Sequence, residues 1–191
     1  MIEKEILKYA LVINLIGNSK KEAINAWKVL KEVHSIKYIS SRSPCPHITL
    51  QSDFEIINID LFKIHFSKFC QSQKIFKLTS IGLGVFIRET PVIHIRWSKN
   101  KELNLLQKKL RKFLVSIEKQ KLISNYFDDL DWIPKTTLAY KDTNYNNLNE
   151  LILLVNENNF IRTMNVLSIS LYEYSNDLGE NKLETFKLGE I

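Results

Sequence analysis

The chain carries one short pattern twice: a proline, a basic residue, a spacer, a threonine and a leucine. The first copy is Pro46-His47-Ile48-Thr49-Leu50; the second is Pro134-Lys135-Thr136-Thr137-Leu138, continued by Ala139-Tyr140. The two basic positions lie 88 residues apart, one in each half of a chain of 191. Along a strand, residues i and i+2 point to the same face. His47 and Thr49 therefore share one face, and Lys135 and Thr137 share another. Halves that fold back on each other bring two basic groups and two hydroxyls to one cleft. Such a cleft suits a phosphodiester, because hydroxyls donate hydrogen bonds to phosphate oxygens and cations offset the charge.

The length fits one domain, or two fused lobes, with a real core. Five glycines and four prolines argue against long flexible linkers. The net charge of +6 favours an anionic partner. The lysines are spread along the chain, so a solvated basic surface explains the charge better than a dedicated nucleic-acid stripe. Cys45 and Cys70 have no metal-ligand spacing, and a reduced cytoplasmic protein is the simplest account of them. Cys45 invites a catalytic-thiol reading, but its flanking prolines and the apolar bias of free cysteine favour a structural role. The N-terminal apolar run is interrupted by Lys8 and Asn14 and reads as neither a signal peptide nor a membrane span. A monomer is the expected state.

In order, residues 8–16 read as a buried strand, broken at Gly17-Asn18-Ser19, with Ser19 placed to cap a helix over 20–33. Residues 40–46 form a loop leading into the strand of His47 and Thr49. A second amphipathic helix is expected over 59–72, with Phe62, Phe66 and Phe69 inward. Residues 74–87 alternate as a strand with a kink at Gly82-Leu83-Gly84, and 92–97 form another strand. Residues 101–120 are strongly helical, with Lys108, Lys109, Arg111 and Lys112 facing out or sideways. A loop over 121–133 holds Asp128, Asp129 and Asp131. The second motif strand, a helix over 146–159, a strand over 166–174 and a strand over 183–188 close the chain. Ser175 to Gly179 fits a hairpin turn between the last two strands.

The order strand, helix, motif strand, helix, strands thus occurs twice. That is a duplicated α+β unit, and it predicts two lobes about a pseudo-two-fold axis with a cleft on the axis. The paired motifs resemble those of the 2H phosphoesterase superfamily, which includes 2′-5′ RNA ligases and cyclic phosphodiesterases. Members of that superfamily carry two His-x-Thr-x motifs, each on a strand. His47-Ile48-Thr49-Leu50 matches in full; the second copy holds Lys135 in the histidine position, with Trp132, Pro134, Leu138 and Ala139 around it still alike. Gly82-Leu83-Gly84-Val85-Phe86 and Leu167 to Glu173 are similar to further stretches of the family. The resemblance implies a mainly antiparallel two-lobed fold over the whole chain. It also implies phosphodiester chemistry on cyclic, 2′-5′-linked or related nucleotides, or on RNA ends, without cofactor or metal.

Hydrolysis of a phosphodiester needs a base for the attacking water, an acid for the leaving oxygen and donors for the phosphoryl oxygens. The resemblance gives His47 one proton-transfer role and gives Thr49 and Thr137 the phosphoryl oxygens. An ordinary lysine is protonated at neutrality, so Lys135 is a phosphate clamp or, if partly desolvated, a general acid. Two readings stay open at this point: a phosphodiesterase, and a catalytically degenerate module that binds a nucleotide or RNA without turnover. A third is an RNA-processing partner gripping RNA through the basic helix. Tyr38, Phe86, Tyr140 and Tyr172 are aromatic candidates for stacking on a base, and Phe86 and Tyr140 are the two carried forward. His34, His65 and His94 have no matching partner and read as structural or exposed, though alternation with Ile93 and Ile95 could turn His94 to the cleft.

Overall fold

The structure, a computed structural model, describes residues 8–118, 132–175 and 179–189. In chain order the elements are β1 (Lys8–Asn14), α1 (Gly17–His34), α2 (Tyr38–Arg42), β2 (His47–Phe54), α3 (Ile59–Gln71), β3 (Phe76–Phe86), β4 (Val92–Trp97) and α4 (Lys101–Glu118). They continue with β5 (Lys135–Ala139), α5 (Leu148–Asn156), β6 (Thr163–Val166), β7 (Ser168–Ser175) and β8 (Gly179–Lys187). Two four-stranded sheets result, in the orders β2-β1-β7-β8 and β5-β4-β3-β6. All six pairings within them are antiparallel.

The halves of the chain do not form separate sheets. The first sheet joins β1 and β2 to the C-terminal β7 and β8, while β3, from the first half, sits inside the second sheet. The helices cross over as well. Helix α1 packs on β5 and α5, whereas α4 packs on β2 and α3 on β8. Each motif strand is an edge strand, paired on one side only. The two edges approach each other, since β2 and β5 are in contact. Edge strands expose unpaired backbone groups that need partners. Two indoles supply them: Trp27 of α1 donates from Nε1 to the Thr137 carbonyl at 3.3 Å, and Trp132 donates to the Thr49 carbonyl at 3.1 Å.

Residue periodicity explains the layers. In β1, Tyr9, Leu11 and Ile13 enter the main apolar core, while Ala10 and Val12 turn to the other face and meet Tyr172. Helix α3 buries Phe62 and Phe66 fully and packs Phe69 partly buried against the core. Phe62 and Phe66 stack at 5.5 Å, and Phe113 of α4 closes on Phe69 at 4.7 Å. The kink expected near Gly82 is a register shift between Ser80 and Leu83, where Gly82 adopts φ +93°. Gly84 serves a different need: a Cβ there would stand 2.6 Å from His94 Nε2 and 2.8 Å from the Arg96 side chain.

Several local expectations need correction. Ser19 is not the cap of α1; the helix starts at Gly17, whose φ of +56° makes the turn, so Ser19 lies buried inside the first turn. The loop over 40–46 overlaps a short helix, α2, whose backbone N–H groups at Lys37 and Tyr38 both donate to Asp142 Oδ2. The strand expected over 166–174 is two strands, one in each sheet, that meet at Leu167. The last strand starts at Gly179, earlier than expected, where Gly179 pairs with Ser175. The turn residues 176–178 and Asp128, Asp129 and Asp131 lie outside the described residues.

Candidate active site

The two motif strands have the same burial alternation. His47 and Thr49 are half-buried between the buried Ile48 and Leu50, and Lys135 and Thr137 are half-buried between the buried Thr136 and Leu138. The buried partners anchor each strand: Ile48 and Leu50 enter the core, and Thr136 Oγ1 accepts from Trp97 Nε1 at 3.0 Å. The other four side chains line one cleft of about 540 Å³. Tyr140 also lines it, and so do Trp27 and Trp132, which hold the motif carbonyls.

His47 is fixed on three sides. Its Nδ1 donates to the Cys45 carbonyl at 3.0 Å, with the Ser43 hydroxyl 3.4 Å away. That bond selects the tautomer with the proton on Nδ1 and leaves the Nε2 lone pair available. The ring lies edge-on to Tyr172 at 5.4 Å. Tyr172 is itself held by donation of its hydroxyl to Asn14 Oδ1 at 2.7 Å, and Asn14 donates to Ser170 Oγ at 2.8 Å. Register places Asn14 opposite His47 on the neighbouring strand, so one hydrogen-bond chain braces the imidazole from behind. Burial raises the Tyr172 phenol, which keeps it a donor. On the open side, Glu180 Oε1 stands 3.7 Å from His47 Nε2. This is too long for a hydrogen bond.

Lys135 donates from Nζ to Thr137 Oγ1 at 2.9 Å. Burial pushes its ammonium down from 10.5 to about 8; Arg88 acts in the same direction and Glu180 opposes it. The residue thus remains a cation at neutral pH, yet holds its proton far less firmly than a surface lysine does. Because Thr137 accepts from Lys135, its own hydroxyl proton is free to point into the cleft.

Other candidates fall elsewhere. Phe86 is not among the residues lining the cleft; its ring lies 4.2 Å from the His94 ring, with the Arg88 guanidinium 5.5 Å above it. His94 sits opposite Thr137 in the register and is buried, with Nδ1 donating to the Val92 carbonyl at 3.3 Å. Burial lowers it to about 4, so it is a neutral packing group. His34 lies 4.0 Å from Glu150, and His65 is exposed. Burial raises the Cys45 thiol, against the opposing pull of Lys20 and Lys182, which disfavours a thiolate nucleophile. Cys70, buried, is pushed up to about 12. Lys108, Lys109, Arg111 and Lys112 line no part of the cleft. Among the described residues, no group of three or more His, Cys, Asp or Glu side chains converges to hold a metal. No helix among them is long and apolar enough to cross a membrane.

Sequence reasoning missed Glu180, Tyr172 as a brace, and the pair Arg42 and Lys141. Glu180 is the second residue of β8, where an acid carries no signal. Tyr172 is legible only as an aromatic in a strand, and Arg42 only as a loop base.

Comparison with known proteins bears on the family and the fold. A family model described as the 2′-5′ RNA ligase superfamily matches residues 18–178. A comparison with curated protein sequences finds no match. Among solved structures, TT0787 of Thermus thermophilus is similar at TM-score 0.69 and 16% identity, covering 96% of this chain and 100% of that one. E. coli LigT complexed with 3′-AMP is similar at TM-score 0.58 and 15% identity, over 97% of this chain and 100% of LigT. Usb1 of Kluyveromyces marxianus is similar at TM-score 0.52 and 10% identity, over 97% and 99% of the two chains. At these identities the three likenesses establish a shared fold.

Proposed function

The chain belongs to the 2′-5′ RNA ligase superfamily, and from that premise we propose that it is a phosphodiesterase. Its substrates are 2′,3′-cyclic, 2′-5′-linked or related nucleotides and oligonucleotides, and it works without a metal. The observation that carries the reading is the convergence of His47, Thr49, Lys135 and Thr137 on one cleft, from two edge strands with the same alternation. The solved complexes of E. coli LigT with 3′-AMP, ATP and NADP+ support a nucleotide as the occupant of such a cleft.

The roles follow from the chemistry. His47 Nε2 takes the proton of the attacking water, which the Nδ1 bond to Cys45 leaves it free to do. The imidazolium so formed faces the Glu180 carboxylate. The hydroxyls of Thr49 and Thr137 donate to the non-bridging oxygens as negative charge builds there. Lys135 gives its proton to the leaving ribose oxygen, and its lowered affinity for that proton suits the task. The P–O bond to the leaving oxygen breaks as the bond to the water oxygen forms. The product is a phosphomonoester, and the water's proton ends on His47.

Purified protein incubated in chelator with cyclic and 2′-5′-linked nucleotides tests the proposal. Turnover that disappears in His47→Ala is expected. Binding of every substrate with turnover of none overturns the enzymatic reading and leaves the degenerate binding module.

A further inference from the structure

The cleft extends past the motif side chains to a mouth formed by Tyr38, Arg42, Tyr140 and Lys141, all part of its lining. The Tyr38 ring carries two cations: the Arg42 guanidinium at 5.2 Å and the Lys141 ammonium at 4.9 Å from the ring centroid. Tyr140 meets Tyr38 edge to face at 6.1 Å and stands 6.0 Å from the same ammonium. Arg42 also donates to the Ser175 carbonyl at 3.4 Å, which fixes the guanidinium beside the Lys141 ammonium on the one ring. Arg42 indeed opposes the Lys141 charge, which a hydrogen bond to Tyr38 sustains.

The arrangement is built, not incidental to a loose surface. Asp142 ties the two contributing segments together by accepting from the backbone N–H groups of Lys37 and Tyr38, both at 2.6 Å. Lys141 adopts φ +68°, a left-handed conformation that is strained for a lysine and that persists where surrounding structure enforces it. That turn aims the ammonium back over the ring. A paired cation site beside aromatic edges, on the rim of a cleft with room beyond a single phosphate group, suits a second phosphate with a base next to it.

We propose that Arg42 and Lys141 bind a second phosphate of the substrate, adjoining the one held between His47 and Lys135, with Tyr140 as the platform for the intervening base. The substrate class is then an oligonucleotide end and not a free cyclic mononucleotide. This inference rests on the phosphodiester reading of the motif cleft and adds the specificity of its mouth.

The test compares ligands that share one terminal group. Affinities of wild-type protein for a nucleoside 2′-monophosphate and for a trinucleotide ending in the same 2′-phosphate are measured by calorimetry at two salt concentrations. The trinucleotide is expected to bind at least tenfold more tightly and with the steeper salt dependence. In Arg42→Gln/Lys141→Gln that affinity ratio falls toward one, while a Lys109→Gln control, outside the cleft, keeps it. Lys141 is exposed, so Lys141→Gln alone serves if the double variant misfolds, and it should reduce the ratio at least threefold. A ratio near one in the wild type, or the same ratio in wild type and Lys141→Gln, overturns the inference even if cyclic mononucleotides are cleaved. Failure of the phosphodiester reading looks different: neither ligand is affected by His47→Ala, and nothing is turned over.

Discussion

Replacing Lys135 by methionine should make the protein more stable and inactive. Folding lowers the affinity of this amine for its proton, from 10.5 to about 8. The folded state therefore binds the proton less well than the unfolded chain, and the cost is fully present below pH 8. At about 1.4 kcal/mol per unit, keeping the buried cation costs roughly 3 kcal/mol at neutral pH. Methionine keeps much of the volume and removes the charge. It also removes the donation from Nζ to Thr137 Oγ1, worth about 1 kcal/mol. A net gain of about 2 kcal/mol at pH 7 remains, or roughly 4–8 °C in Tm for a chain of this size. The sign of the pH dependence is fixed by the same linkage. Between about pH 8 and 10.5 the unfolded wild type holds a proton that the folded form has released, so wild-type stability rises relative to the variant and the gap closes. Thermal unfolding of both proteins at pH 7 and pH 10, at matched ionic strength, reads both effects. A methionine variant less stable than wild type at pH 7, or a gap of the same size at both pH values, refutes the reasoning.

Three further outcomes follow from the site. As the acid, Lys135 must be protonated, so kcat/KM should fall tenfold per unit above about pH 8; Lys135→His should keep turnover and bring that falling limb to lower pH, and a wild-type profile flat to pH 10 contradicts the role. Glu180→Gln removes a negative charge beside the phosphate position, and inorganic phosphate should then compete about fivefold better, a gain on the order of 1 kcal/mol. Weaker phosphate competition in that variant would place Glu180 among the groups that attract the substrate. Trp132→Phe leaves the Thr49 carbonyl on an edge strand without its indole donor, and chemical denaturation should show a loss of about 1–2 kcal/mol; a loss below about 0.5 kcal/mol would mean that water replaces the bond without cost.

Much of the fold was legible because alternation and helical spacing are local properties. The His47-to-Leu50 and Lys135-to-Leu138 segments each carry their own in-out pattern, and the structure repeats it residue by residue. The exchange of strands between sheets was not legible. Strand β3 alternates in the same way whether it pairs within its own half or with β4, and only the tertiary contacts decide. Ser19 misled because capping depends on where the turn begins, and the positive φ of Gly17 moves that point upstream. The site was half legible. Motif spacing exposed the four facing side chains, whereas Glu180, Arg42 and Lys141 reach the cleft only through the β7–β8 hairpin, α2 and the segment after β5. Phe86 lies outside the cleft lining, its ring packed on His94 in the room that Gly84 leaves.

The central claim concerns one bound anion, and a crystal structure with a nucleoside 2′-monophosphate measures it directly. Both His47 Nε2 and Lys135 Nζ should lie about 3 Å from oxygens of the same phosphate, with the Thr49 and Thr137 hydroxyls on its remaining oxygens. A phosphate held by only one of the two basic groups, with the other turned toward a separate partner, would contradict the account.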